Sequence, residues 1–165
     1  MSHAKGDLQK EDSMTPLDLL QKAHFASKLS ASVLMKLAAI ARVVEWNEGT
    51  LIFREGDPHE DFYVLSSGHV ALEMNVPSRG LSRILTVRSG ELLAWSALLG
   101  DGRMTASAIA MEPTQAIAIS GRKLRELCQS DHEVGYQVMG QVASALSQRL
   151  LATRLQLLDL FAKPH

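Results

Sequence analysis

The chain has 165 residues, 46% of them apolar and 21% charged, with a formal net charge of −1. That length supports one domain with a real core rather than two, and the near-neutral balance excludes an overall basic field for holding nucleic acid. A single cysteine, Cys128, excludes an internal disulfide and fits a reducing compartment; the opening segment lacks the apolar core of a signal peptide and no apolar run reaches membrane-spanning length, so the expected location is the cytoplasm, away from any membrane.

Residues 1–14 are polar and mixed in charge, the composition of a disordered tail, and residues 15–163 read as the folded unit. Thr15-Pro16 opens a helix, with Thr as N-cap, Pro in the first turn and Asp18 beside it. Ser30 caps a second helix, in which Val33, Leu34, Leu37, Ile40 and Ala41 recur at helical spacing. From Val43 the texture changes to short apolar runs punctuated by Gly, which predicts many short strands. Residues 43–46 and 51–53 flank Asn47-Glu48-Gly49; residues 62–65 and 69–74 flank Ser66-Ser67-Gly68, a hairpin-length connection. Further strands are predicted at 83–87, 105–111 and 115–119, with Pro113 between the last two, where its missing N–H is harmless. A packed set of such strands is a β-sandwich or barrel. Helical texture returns with a short helix at 122–129 and a long one capped by Asp131 and running to about Phe161. Along the latter, Tyr136, Met139, Ala143, Leu146, Leu150, Thr153, Leu157 and Leu160 alternate by three and four, a coiled-coil seam that predicts homodimerisation through residues 139–160.

The stretch 90–110 carries the candidate chemistry. It opens with Gly90-Glu91, continues through Leu92 and Leu93 to a short apolar segment predicted as a helix, breaks at Gly100-Asp101-Gly102, and resumes as Met104-Thr105-Ala106. A turn feeding a short helix leaves backbone N–H groups where an anion can sit, and a lone Glu beside them suits a hydroxyl donor such as a sugar. The stretch resembles the phosphate-binding cassette of the cyclic nucleotide-binding domains, as found in catabolite-activator-type regulators. Two upstream blocks carry the same resemblance: the run 48–57, with Glu55-Gly56-Asp57 at its end, and the run 61–70, with Tyr63, Leu65 and Gly68. Gly49, Gly56, Gly68 and Gly90 stand where a small jelly-roll must turn.

The resemblance implies an α+β, mainly β fold: a double-stranded β-helix or jelly-roll flanked by N-terminal helices and a long C-terminal dimerisation helix. It implies cyclic AMP or cyclic GMP as ligand, with Gly90, Glu91, Leu92, Leu93, Arg103, Thr105 and Ala106 as cassette residues and Glu91 on the ribose 2′-hydroxyl. The segment 148–153 resembles the part of such regulators whose Thr meets the adenine ring, which adds Thr153; its alternative is a hydroxyl bonded to its own helix one turn back. One departure is plain. The family places an Arg before the small hydroxyl residue and Ala, and here Met104 stands there, with Arg103 one residue early. Losing the partner of a buried charge costs about 2–5 kcal/mol. A one-residue slip turns a side chain to the opposite face, so Arg103 reaches the pocket only if a bulge follows Gly102; otherwise it is a solvated loop charge and Met104 fills an apolar pocket.

Metal-dependent enzymes on similar jelly-rolls need clustered His and carboxylate ligands, whereas His59, His69 and His132 are scattered. No P-loop, Gly-x-Ser-x-Gly or Cys-x-x-Cys pattern occurs. The expectation is a non-catalytic sensor without a metal, acting on a downstream protein. The chain ends at Lys163-Pro164-His165 with no room for a helix-turn-helix module after the long helix, so either the effector domain stands alone or it is a fragment of something larger, and direct DNA binding by it is not expected. The alternative from another class is a ligand-independent dimerisation scaffold with a degenerate pocket.

Overall fold

The computed structural model describes residues 13–162; the first twelve residues of the expected tail lie outside them. Helix α1 (Pro16–Lys22) starts as its sequence dictates. Thr15 Oγ1 accepts from the Asp18 N–H at 3.2 Å, and the Asp18 carboxylate accepts from the Thr15 N–H at 3.0 Å, a reciprocal cap. A 3-10 turn (His24–Ala26) leads to α2 (Ala31–Ala39), capped by Ser30.

Eight strands follow: β1 (Ala41–Trp46), β2 (Leu51–Phe53), β3 (Asp61–Ser67), β4 (Val70–Val76), β5 (Gly80–Val87), β6 (Leu92–Leu93), β7 (Ser107–Ala110) and β8 (Thr114–Ser120). They form two four-stranded antiparallel sheets, ordered β1-β8-β3-β6 and β2-β7-β4-β5. This is the expected jelly-roll. Phe62 to Leu65 on β3 and Ala116 to Ile119 on β8 are buried without a break, because one face of their sheet meets the core and helix α1 lies on these strands as well.

Three connections differ from a hairpin reading. The link 68–69 joins strands of different sheets, as do the β1–β2 and β7–β8 links, whereas β4 and β5 form a true hairpin paired from Val70↔Val87 to Val76↔Gly80. Gly68 explains the first. Its φ of +86° redirects the chain, and a Cβ there would sit 2.3 Å from Thr114 Oγ1 and 2.8 Å from Thr114 Cα. Loop length alone carries no record of that approach. The two-residue β6, within the segment read as helical, is too short for any periodicity to mark it, and only one 3-10 turn (Trp95–Ala97) follows it.

Helix α3 (Gly121–Ser130), capped by Ser120, and α4 (His132–Ala162) complete the chain. Asp131 accepts from the Val134 N–H at 3.3 Å and ties the start of α4 to Lys36 of α2 at 2.6 Å. Val134, Val138 and Val142 bury one stripe of α4 in the core. The predicted seam is therefore divided. Met139 and Leu146 lean on the chain's own core, while Leu150, Leu157 and Leu160 stand in the open with Leu151, Leu155, Leu158 and Phe161. No helix among the described residues is long and apolar enough to cross a membrane.

Candidate functional site

The Gly90-Glu91 turn is pinned by backbone bonds on several sides. The Gly90 N–H donates to the Leu65 carbonyl of β3 at 2.6 Å, the Glu91 carbonyl accepts from the Leu65 N–H at 3.0 Å, and the Gly90 carbonyl accepts from the Phe25 N–H at 3.3 Å. Glu91 is thereby fixed between the sheet and the N-terminal 3-10 turn, with Leu92 and Leu93 leading into the core beneath it. Ala94, at φ +64°, then turns the chain into the 3-10 turn.

Two arginines hold this segment from the C-terminal helices. Arg149 of α4 donates from Nη2 to the Leu92 carbonyl at 2.7 Å. Arg125 of α3 donates from Nη1 to the Ala97 carbonyl, also at 2.7 Å. The start of α3 lies so close that a Cβ on Gly121 would fall 2.0 Å from that same carbonyl oxygen. Burial lowers the pKa of Arg149, and the charge of Glu91 acts in the opposite direction.

The expected site residues do not converge on one space. Gly90, Glu91 and Leu92 border a cavity of about 560 Å³ between the end of β5, the 3-10 turn at His24 and the inner side of α4. Thr105 and Ala106 instead border a hollow of about 20 Å³ beneath Ala94, together with Phe53 and Met104. Met104 is 3% exposed. It occupies the position at which the resemblance implies a phosphate-binding Arg, and its thioether side chain offers no charge there. Arg149 borders both spaces.

Leu93 is fully buried and pairs with Tyr63. Arg103 borders neither space. Its N–H donates to the Asp101 carboxylate at 3.0 Å and its Nη1 to the Gly56 carbonyl at 3.1 Å, while its backbone bridges to Pro58. The alternation of side chains along an extended segment turns Arg103 outward where Met104 turns inward. Thr153 is exposed, and its hydroxyl donates to the Arg149 carbonyl one turn back at 2.9 Å.

Sequence reasoning missed Arg149 and Arg125. Arg149 carried one signal, being one of only two arginines on a long helix with few charges. Arg125 carried none, because its partner is a carbonyl that only the fold brings near. Among the described residues no group of three or more His, Cys, Asp or Glu side chains gathers as a metal site would require.

Comparison with known proteins places this geometry in a family. The sequence profile of the cyclic nucleotide-binding domain matches residues 43–131. A CRP-like cAMP-activated global transcriptional regulator of Mycobacterium tuberculosis is 24% identical over 144 residues, covering 87% of this chain and 62% of its own. The chain thus spans less than two thirds of that regulator's length. Among solved structures, a cyclic nucleotide-binding domain from Methylobacillus flagellatus superimposes with a TM-score of 0.78 at 19% identity, covering 91% of this chain and 84% of that one. The N-terminal domain of a Streptomyces coelicolor transcriptional regulator gives 0.67 at 25% identity, covering 82% and 94%.

Proposed function

This chain belongs to the cyclic nucleotide-binding domain family, and from that premise we propose that it works as a non-catalytic regulatory domain, a cytoplasmic homodimer that senses a small cyclic-nucleotide-like ligand and passes the change through α4 to a partner protein. The observation that carries this reading is the bond from Arg149 to the Leu92 carbonyl. It fastens the long helix to the residue that follows Glu91, so a ligand that moves the turn moves the helix. By linkage, such a ligand shifts α4 only by as much as it binds the two arrangements differently. The cAMP-activated Mycobacterium relative supports cyclic AMP as the first ligand to test. Dimerisation is supported by the open face of α4, where Leu157 is 50% and Phe161 86% exposed.

The test is a thermal titration with cyclic AMP and cyclic GMP. A ligand at one hundred times its Kd stabilises the folded state by about 2.7 kcal/mol, which appears as a raised melting temperature. A second reading, a ligand-independent dimerisation scaffold, is favoured by one observation: Met104 fills the cassette hollow. Met104→Arg separates the two. A buried charge without a partner lowers the melting temperature of the free variant, and a cyclic phosphate that pairs with it restores the loss. Absence of a ligand response in both forms, with dimers persisting, retires the sensor and leaves the scaffold.

A further inference from the structure

The larger cavity, at about 560 Å³, falls in the range in which proteins hold small organic ligands. The hollow at Met104, at about 20 Å³, has room for about one water molecule. With Met104 in place, a nucleotide-sized molecule has room in the first and none in the second.

The charges point the same way. Two guanidiniums, Arg88 and Arg149, and one carboxylate, Glu91, border the cavity, so its charged side chains sum to one positive charge in a chain whose net charge is −1. Arg149 is only partly exposed and commits an N–H to the Leu92 carbonyl. Among the described residues it forms no ion pair within 4.0 Å. A partly desolvated guanidinium with donors to spare gains from an anion brought into reach, because charge-assisted bonds are the strong ones. Gln148 and Gln156 on α4 add amide donors and acceptors to the lining.

We infer that this cavity is an anion-binding site for a nucleotide-sized organic phosphate, with Arg149 and Arg88 holding the phosphate and Glu91 meeting the ligand's hydroxyls. The inference rests on the ligand-sensing reading and relocates the phosphate. Instead of entering the hollow at Met104, the anion bridges Arg88, the residue just after β5, and Arg149 of the long helix. Occupancy then ties α4 to the β-domain directly.

The experiment is calorimetric titration of the full chain with cyclic AMP, 5′-AMP, inorganic phosphate and adenosine. Both nucleotides are expected to bind, adenosine about tenfold more weakly or worse, and Arg88→Glu and Arg149→Gln each to weaken nucleotide binding about tenfold or more. Arg122→Glu, a charge reversal on the exposed side of α3, is expected to leave binding unchanged. Arg88→Glu keeps the result readable if Arg149→Gln folds poorly, since Arg88 is exposed. Inorganic phosphate binding as tightly as the nucleotides would overturn the assignment of ligand size. Nucleotide binding indifferent to both arginine variants overturns the inference and leaves the sensing reading standing. Binding that appears only in Met104→Arg, or in neither form, overturns both and leaves the scaffold.

Discussion

Met104 and Arg103 are neighbours whose side chains leave an extended backbone on opposite faces, and that geometry decides which one the cassette receives. Met104 goes inward to 3% exposure, whereas Arg103 turns to the Gly56 carbonyl. The same loop touches a second residue with measurable consequences. His59 donates its backbone N–H to the Gly102 carbonyl at 3.0 Å, and its Nε2 lies 2.7 Å from Tyr63 Oη, with the rings of Phe53 and Tyr63 against it. Burial lowers the His59 pKa from its usual 6.5, and the nearby Asp61 opposes that shift only in part. The unfolded chain therefore takes up a proton at a higher pH than the folded one. The stability that the neutral ring contributes is fully present above the unfolded value and is lost as pH falls through the lower, folded value. Urea midpoints are expected to fall as pH is lowered from about 7 through the ordinary histidine value and below it, and His59→Gln, which keeps a hydrogen-bonding group toward Tyr63 without titrating there, to flatten the decline. An unchanged slope in the variant would assign the decline to other groups.

At the scale of elements, the cassette is held by α3 and α4 rather than by its own short turn. The first residue of α3 approaches the Ala97 carbonyl so closely that only glycine fits, and Arg125 bonds the same oxygen from the next turn of the helix. A Cβ at 2.0 Å from a backbone oxygen cannot be absorbed by a rotamer change, so the helix or the cassette must move. Gly121→Ala is expected to cost about 2 kcal/mol or more in urea unfolding, a typical overpacking penalty. It is also expected to raise hydrogen exchange at the Gly121 amide, which donates to the Glu60 carbonyl at 2.8 Å. Wild-type stability in this variant would show that the contact is slack.

At the scale of the whole molecule, α4 carries two apolar faces in succession. Its first half buries Val134, Val138 and Val142 in the core, and its second half, from Leu150 onward, is exposed throughout. Leucines at Leu150, Leu151, Leu155, Leu157 and Leu158, left in water, favour a second copy of the same helix. Sedimentation at micromolar concentration is expected to show a dimer, and Leu150→Asp with Leu157→Asp to give a monomer of unchanged melting temperature per chain, since neither side chain belongs to the core. A monomeric wild type would retire the dimer, and a variant that unfolds would show that the helix end supports the domain itself.

The sequence by itself determined the family and every element but β6 and the 3-10 turns. Caps at Thr15, Ser30 and Asp131, the run of short strands and the Glu55-Gly56-Asp57 and Gly90-Glu91 blocks are local signals, because each depends on residues a few positions apart. It also placed Glu91 beside a turn and identified Met104 as the departure from the family's pattern. Only the tertiary structure decided what those residues face. The separation of Thr105 and Ala106 from Glu91 into different spaces, the two guanidiniums on cassette carbonyls and the division of α4 into a buried and an open half all rest on contacts between distant segments, such as Arg149 with Leu92. Periodicity records that a helix has an apolar face. It does not record which neighbour covers that face, because burial is a property of the folded chain and not of the helix.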